Sequence, residues 1–138
     1  MSTRDEREAR SNFAERYAIP TADVNAWVEQ AVIGAVWGAN GYTTVDQADE
    51  LARRLRIGPG SRVLDVGTGR GWPGVYFATH MGCTTVGTDL PLGALAVAAC
   101  RARTEIVDDR VALVAAASAN QPFRPGSFDA AVHTDVLC

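Results

Sequence analysis

The stretch Val63-Leu64-Asp65-Val66-Gly67-Thr68-Gly69-Arg70-Gly71-Trp72-Pro73-Gly74 leaves the chain little choice of fold. Residues 63–66 form a short apolar run with β-branched members, broken only by Asp65, as expected of a buried parallel strand. Three glycines follow at alternate positions, Gly67, Gly69 and Gly71. Without a Cβ they allow a tight turn and let a ligand approach the backbone closely. Pro73 fits the first turn of a helix, where its missing N–H leaves nothing unsatisfied. Strand, glycine turn and helix in that order open a nucleotide-binding βαβ unit.

Two cofactor classes use such an opening. Gly69, Gly71 and Gly74 satisfy the G-x-G-x-x-G spacing of a dinucleotide site, but the first of them lies three residues beyond the strand. The better-placed glycines are Gly67, Gly69 and Gly71, and they follow a carboxylate, Asp65. A carboxylate there repels a pyrophosphate and suits a ligand with an ammonium group. Asp65-x-Gly67-x-Gly69-x-Gly71 resembles the first motif of class I S-adenosylmethionine (SAM)-dependent methyltransferases, type 11-like members included.

Further segments extend the resemblance in the family's order. Residues 83–88 read as a second strand ending at Asp89, about 20 residues past the glycine turn, where an acidic side chain accepts hydrogen bonds from vicinal ribose hydroxyls. Taken alone, Asp89 equally suits a helix cap before Pro91 and Leu92. Residues 92–103 read as a helix and 111–115 as a third strand. Residues 116–123 are similar to the family segment in which an acidic residue meets the adenine amino group before a Pro-Phe pair. Here Ala117 takes the acidic position, leaving backbone groups, such as those at Ser118, to hold the base. One missing hydrogen bond weakens binding by about 1 kcal/mol. Arg124-Pro125-Gly126-Ser127 is a turn, and residues 128–133 are the fourth strand.

The resemblance implies an α/β fold, a Rossmann-like open parallel sheet with helices on both faces. It places the amino-acid end of SAM on Gly67, Thr68, Gly69 and Gly71 with Asp65 behind them, the ribose on Asp89, and the base near Leu90, Ala117 and Ser118. His133 and Asp135, ending the fourth strand, are the candidate bases facing the transferred methyl, although a histidine there also serves as a packed, hydrogen-bonded residue. His80, near a helix end, is explained by the helix dipole. Base-methylating enzymes usually carry Asn- or Asp-Pro-Pro-aromatic after this strand, whereas the chain reads Thr134-Asp135-Val136-Leu137. That difference and a formal net charge of −3 predict a small-molecule acceptor and no nucleic acid.

Ahead of the first strand, residues 1–57 read as a helical extension and 58–138 as the SAM-binding core. Residues 2–16 carry arginine interleaved with Asp and Glu, a solvated helix face. After Pro20, Thr21 can cap an apolar helix reaching about Trp37, to be buried on the domain or a partner. Thr44-Val45-Asp46-Gln47 is a capping box, and its helix is expected to stop at Gly58-Pro59-Gly60. Trp37 and Tyr42 either line a site or are core aromatics, the commoner use of such residues.

All 13 basic residues are arginine, which excludes a P-loop lysine and Schiff-base chemistry. Cys83, Cys100 and Cys138 form neither a disulfide framework nor a metal site, so a reducing cytoplasm is the expected setting. No apolar span long enough for a membrane is present. Family members complete a seven-stranded sheet, and these 138 residues supply four strands. An unpaired fourth-strand edge is therefore expected, suited to a homodimer. The readings compatible with this pattern are a methyltransferase, a catalytically inactive SAM-binding remnant or module, and a fragment of an NAD-dependent oxidoreductase.

Overall fold

The computed structural model describes residues 23–39 and 41–135, together with Arg4, Arg7, Glu8, Ser11 and Glu15, which lie in helical turns. The Thr21 cap, most of the helix expected over residues 2–16, and Cys138 lie outside the described residues. The first described helix, α1, spans Asp23–Ile33 and is followed by α2, Val45–Arg54. The core then runs β1 (Arg62–Val66), α3 (Gly74–Met81), β2 (Thr84–Asp89), α4 (Leu92–Thr104), β3 (Val111–Ala115) and β4 (Ala130–Val132).

Helix α1 stops four residues before Trp37, at Gly34, whose φ of 91° no helix continues through. One face turns inward through Ile33 and Glu29, while Val24, Trp27 and Val32 face solvent. Burial of the whole apolar helix was expected; among the described residues only this stripe is covered. Helix α2 begins as its sequence predicts. Thr44 accepts from the Gln47 N–H while the Gln47 side chain accepts from Thr44 N–H, a complete capping box. It ends at Arg54, four residues before Gly58, because Arg56 turns left-handed at φ 54°. Gly82, at φ 69°, closes α3.

The sheet is parallel throughout, in the order β3-β2-β1-β4. β1 therefore sits centrally, which explains why Val63, Leu64 and Asp65 are all buried. α3 and α4, which join β1 to β2 and β2 to β3, lie on one face, where they touch each other. Strand order reverses beside β1, and β3 returns to β4 through residues 116–129, which form no helix or strand. β4 is shorter than residues 128–133, pairing only from Ala130 to Val132. The α/β, Rossmann-like fold expected from the sequence is the one found.

One core binds the helices to the sheet. Phe77 and Val63, both fully buried, pack with Ala48 and Ala52 of α2, Ile33 of α1, and Val132 of β4. An aromatic cluster extends it: Trp37 lies 5.9 Å from Trp72 and 5.6 Å from Tyr76. The Arg101 guanidinium sits 5.0 Å above the Trp37 ring. Trp37 is thus a core aromatic, whereas Tyr42 is exposed. Among the described residues no helix is long and apolar enough to cross a membrane.

Candidate functional site

The carboxyl ends of β1, β2 and β4 meet at the point where strand order reverses, the usual position of a ligand crevice in an open α/β sheet. The glycine turn overhangs it. Gly67, Gly69 and Gly71 all take positive φ, at 74°, 55° and 100°. At Gly71 a Cβ would also come within 2.7 Å of Val75 Cγ2. The turn is stapled to β2, because the N–H groups of Gly67 and Thr68 both donate to the Thr88 carbonyl, at 2.7 and 3.0 Å.

Asp65 braces the turn from beneath. It is fully buried, and its Oδ2 accepts from Thr68 Oγ1 at 2.6 Å and from Gly74 N–H at 2.9 Å. Gly74 is the first residue of α3, so a carboxylate already occupies the helix N-terminus. That is the place a pyrophosphate would need in a dinucleotide site. Asp65 Oδ1 has no hydrogen-bond partner. Burial pushes the Asp65 carboxyl up to about 7, against the opposing pull of Thr68 and Gly74 and with the Asp89 charge adding to the rise.

Asp89 ends β2 directly across from the turn. Its Oδ2 accepts from Gly69 N–H at 2.8 Å and its Oδ1 from Leu90 N–H at 2.7 Å. These bonds use two of the roughly four acceptor directions of a carboxylate, leaving two for further donors. Burial raises its pKa, opposed by the same two N–H groups. The loop after β3 joins this end of the sheet, since Ala116 N–H donates to the Asp89 carbonyl at 3.1 Å. The next carbonyl, that of Ala117, is taken by Asn120 N–H at 3.0 Å and Gln121 Nε2 at 2.9 Å. The glycine turn, Asp89 and Leu90 are thereby brought to one rim above Asp65, with Ala117 and the exposed Ser118 following on the loop after β3.

β4 supplies the other wall. His133 is exposed just past its end. Asp135 stands at φ 57°, and its Oδ2 receives Tyr42 N–H and Thr43 N–H at 3.1 Å each and Thr43 Oγ1 at 2.8 Å. It therefore reaches back to the segment between α1 and α2. That segment is also held by Trp72, whose Nε1 donates to the Thr43 carbonyl at 3.1 Å. Its upstream end is clamped by the buried Glu29, whose Oε1 accepts from Trp37 N–H at 2.7 Å and Ala39 N–H at 2.9 Å.

Three contributors escape the sequence reading. Gly87, inside β2, is needed because a Cβ there would lie 2.7 Å from Thr68 Cγ2 and 3.0 Å from Leu113 Cδ2. A glycine within a strand is the available signal, since it marks a close approach. Glu29, a carboxylate on an apolar helix, is legible only as an anomaly. Thr43 carries no signal, as its partner is 92 residues away.

The methyltransferase domain family matches residues 63–138. The methyltransferase GfsG of Streptomyces halstedii is 37% identical over 81 residues, covering 59% of this chain and 29% of that protein. The 27-O-demethylrifamycin SV methyltransferase of Amycolatopsis mediterranei is 32% identical over 111 residues, 71% of this chain and 41% of that one. This chain thus spans less than half the length of these relatives. The fold is similar to that of geranyl diphosphate C-methyltransferase from Streptomyces coelicolor, solved with Mg2+, geranyl diphosphate and S-adenosylhomocysteine. The TM-score is 0.71 at 20% identity, covering 96% of this chain and 54% of that one. The match runs from β1 through β4 and takes in more than half of the sequence, and so the chain belongs to the methyltransferase domain family, of the Rossmann-like, SAM-dependent class.

Proposed function

We propose that this chain binds SAM in the crevice at the carboxyl ends of β1, β2 and β4, with the loop after β3 beside it, and serves in-line methyl transfer to a small-molecule acceptor. The observation that carries this reading is the cradle itself, a glycine turn braced by Asp65 and tied to Asp89, with acceptor capacity left on Asp89. Gly67, Thr68, Gly69 and Gly71 hold the amino-acid end, with Asp65 acting through the turn. Asp89 holds the ribose hydroxyls, while Leu90 and the backbone of Ala117 and Ser118 flank the base. Bound there, SAM supplies a methyl group already activated on a sulfonium. What remains for the protein is to orient an acceptor in line and to exclude water. His133, exposed at the end of β4, takes the acceptor's proton where the acceptor must lose one. A small acceptor is supported by the Amycolatopsis relative, a methyltransferase of 27-O-demethylrifamycin SV. A nucleic-acid acceptor is disfavoured by the net charge of −3.

A cofactor-binding module without transfer is the second reading. It is favoured by one observation: His133, the candidate base, is exposed to solvent.

Calorimetric titration with S-adenosylhomocysteine, with NADH as control, tests the site. Micromolar binding that is lost in Asp89→Ala supports the proposal. A folded chain that takes up NADH and not S-adenosylhomocysteine overturns it. A screen of small-molecule acceptors with labelled SAM, run on wild type and His133→Ala, separates transferase from module.

A further inference from the structure

Thr43 is tied to both sides of the crevice. Trp72, directly after the glycine turn, holds the Thr43 carbonyl on the β1 side at 3.1 Å. Asp135, three residues past β4, holds Tyr42 N–H, Thr43 N–H and Thr43 Oγ1 on the other side, at 3.1, 3.1 and 2.8 Å. β1 and β4 are neighbours, and strand order reverses beside β1. The segment around Thr43 is therefore a strap tied at both sides of the switch point.

Two features mark the Asp135 junction as built. Asp135 adopts φ 57°, a left-handed conformation uncommon for a residue with a side chain. Opposite it stands Gly41, where a Cβ would fall on the Asp135 carboxylate, so the carboxylate fits only against glycine. The strap also has means to move. Gly41, lacking a Cβ, opens the described run that ends at the α2 cap. The Asp135 bonds are exposed to water, which can replace them at modest net cost. The Glu29 clamp is buried at Trp37 and stays.

We propose that Asp135 is a positioning residue, a latch whose three hydrogen bonds hold residues 41–43 across the crevice, and that cofactor enters and leaves when they release. This rests on the reading that the crevice holds SAM.

The full chain is tested with S-adenosylhomocysteine by stopped-flow tryptophan fluorescence, and without ligand by amide hydrogen exchange. Asp135→Gly keeps the positive φ and deletes the carboxylate, whereas Asp135→Asn keeps one acceptor oxygen. In Asp135→Gly, exchange at Tyr42 and Thr43 is expected to quicken about tenfold. Association and dissociation should quicken together by a similar factor, with Kd shifted less than about threefold. Asp135→Asn should stay within about threefold of wild type in both rates. If Asp135→Gly fails to fold, Thr43→Val removes the hydroxyl bond alone and should quicken both rates about threefold. Unchanged exchange at Thr43 shows that no latch exists and overturns the proposal. Faster exchange with unchanged ligand rates shows a latch that does not govern entry, and also overturns it. A wild-type chain that binds no S-adenosylhomocysteine while Thr43 exchange responds overturns the SAM reading, and with it the role of the latch in cofactor exchange.

Discussion

Asp65 and Asp89 face each other across the glycine turn, yet their environments set them different tasks. The Asp65 carboxyl, fully buried and with its pKa pushed to about 7, ionises less readily folded than unfolded. Its contribution to stability is therefore complete below the unfolded value of 3.8 and is lost as pH rises through about 7. At about 1.4 kcal/mol per pKa unit, the loss between pH 5 and pH 8 is roughly 2.5 kcal/mol. Asp65→Asn has no titration there, so urea unfolding should show wild type losing about 2.5 kcal/mol more than the variant over that interval. Equal losses in the two proteins would contradict the assignment. Asp89 is half-buried and keeps acceptor capacity, so its substitution should strike binding. Asp89→Ala is expected to weaken S-adenosylhomocysteine about 30-fold or more, because charge-assisted bonds go with it. Asp89→Asn should recover part of that loss in the same titration. Both residues are legible in the sequence, one before the glycines and one about 20 residues after them. That Oδ2 of Asp65 would be spent on Thr68 and Gly74 is not legible, since it depends on where α3 starts.

Among the elements, those with local causes match their sequence signals. Thr44 and Gln47 close the capping box predicted for α2, and Gly82 ends α3 in a left-handed turn. Thr44→Ala should cost about 1 kcal/mol in chemical denaturation, and a change below about 0.3 kcal/mol would show that the box is idle. The misreadings share a physical origin. Helix α2 stops at Arg54 because Arg56 turns left-handed, although the glycines that end helices lie further on. β4 shortens to three residues because only Ala130, Ala131 and Val132 find partners on β1. Gly87 answers to Thr68, a neighbour in space and not in sequence. Local propensity fixes where an element can begin, and tertiary pairing decides how much of it survives.

For the whole molecule, β1 lies between β2 and β4, so strand order reverses beside it, an arrangement the crossover rules permit. What the sequence does not disclose is which apolar surface stays open. Trp27 is 72% exposed and Val24 69%, on one stripe of α1 that no described residue covers. Such a stripe favours association. Sedimentation velocity across a concentration series should show the chain self-associating, and Trp27→Glu should shift it toward monomer; identical profiles would direct attention to the β4 edge instead. The glycine turn has a different consequence. The bonds from Thr88, Asp65 and Asp89 that shape it all come from the chain itself. Its conformational entropy is therefore lost during folding, and little ordering remains for the moment of binding. Cofactor capture should then carry only the small negative heat-capacity change of the ligand's own apolar area, like a key entering a lock already cut.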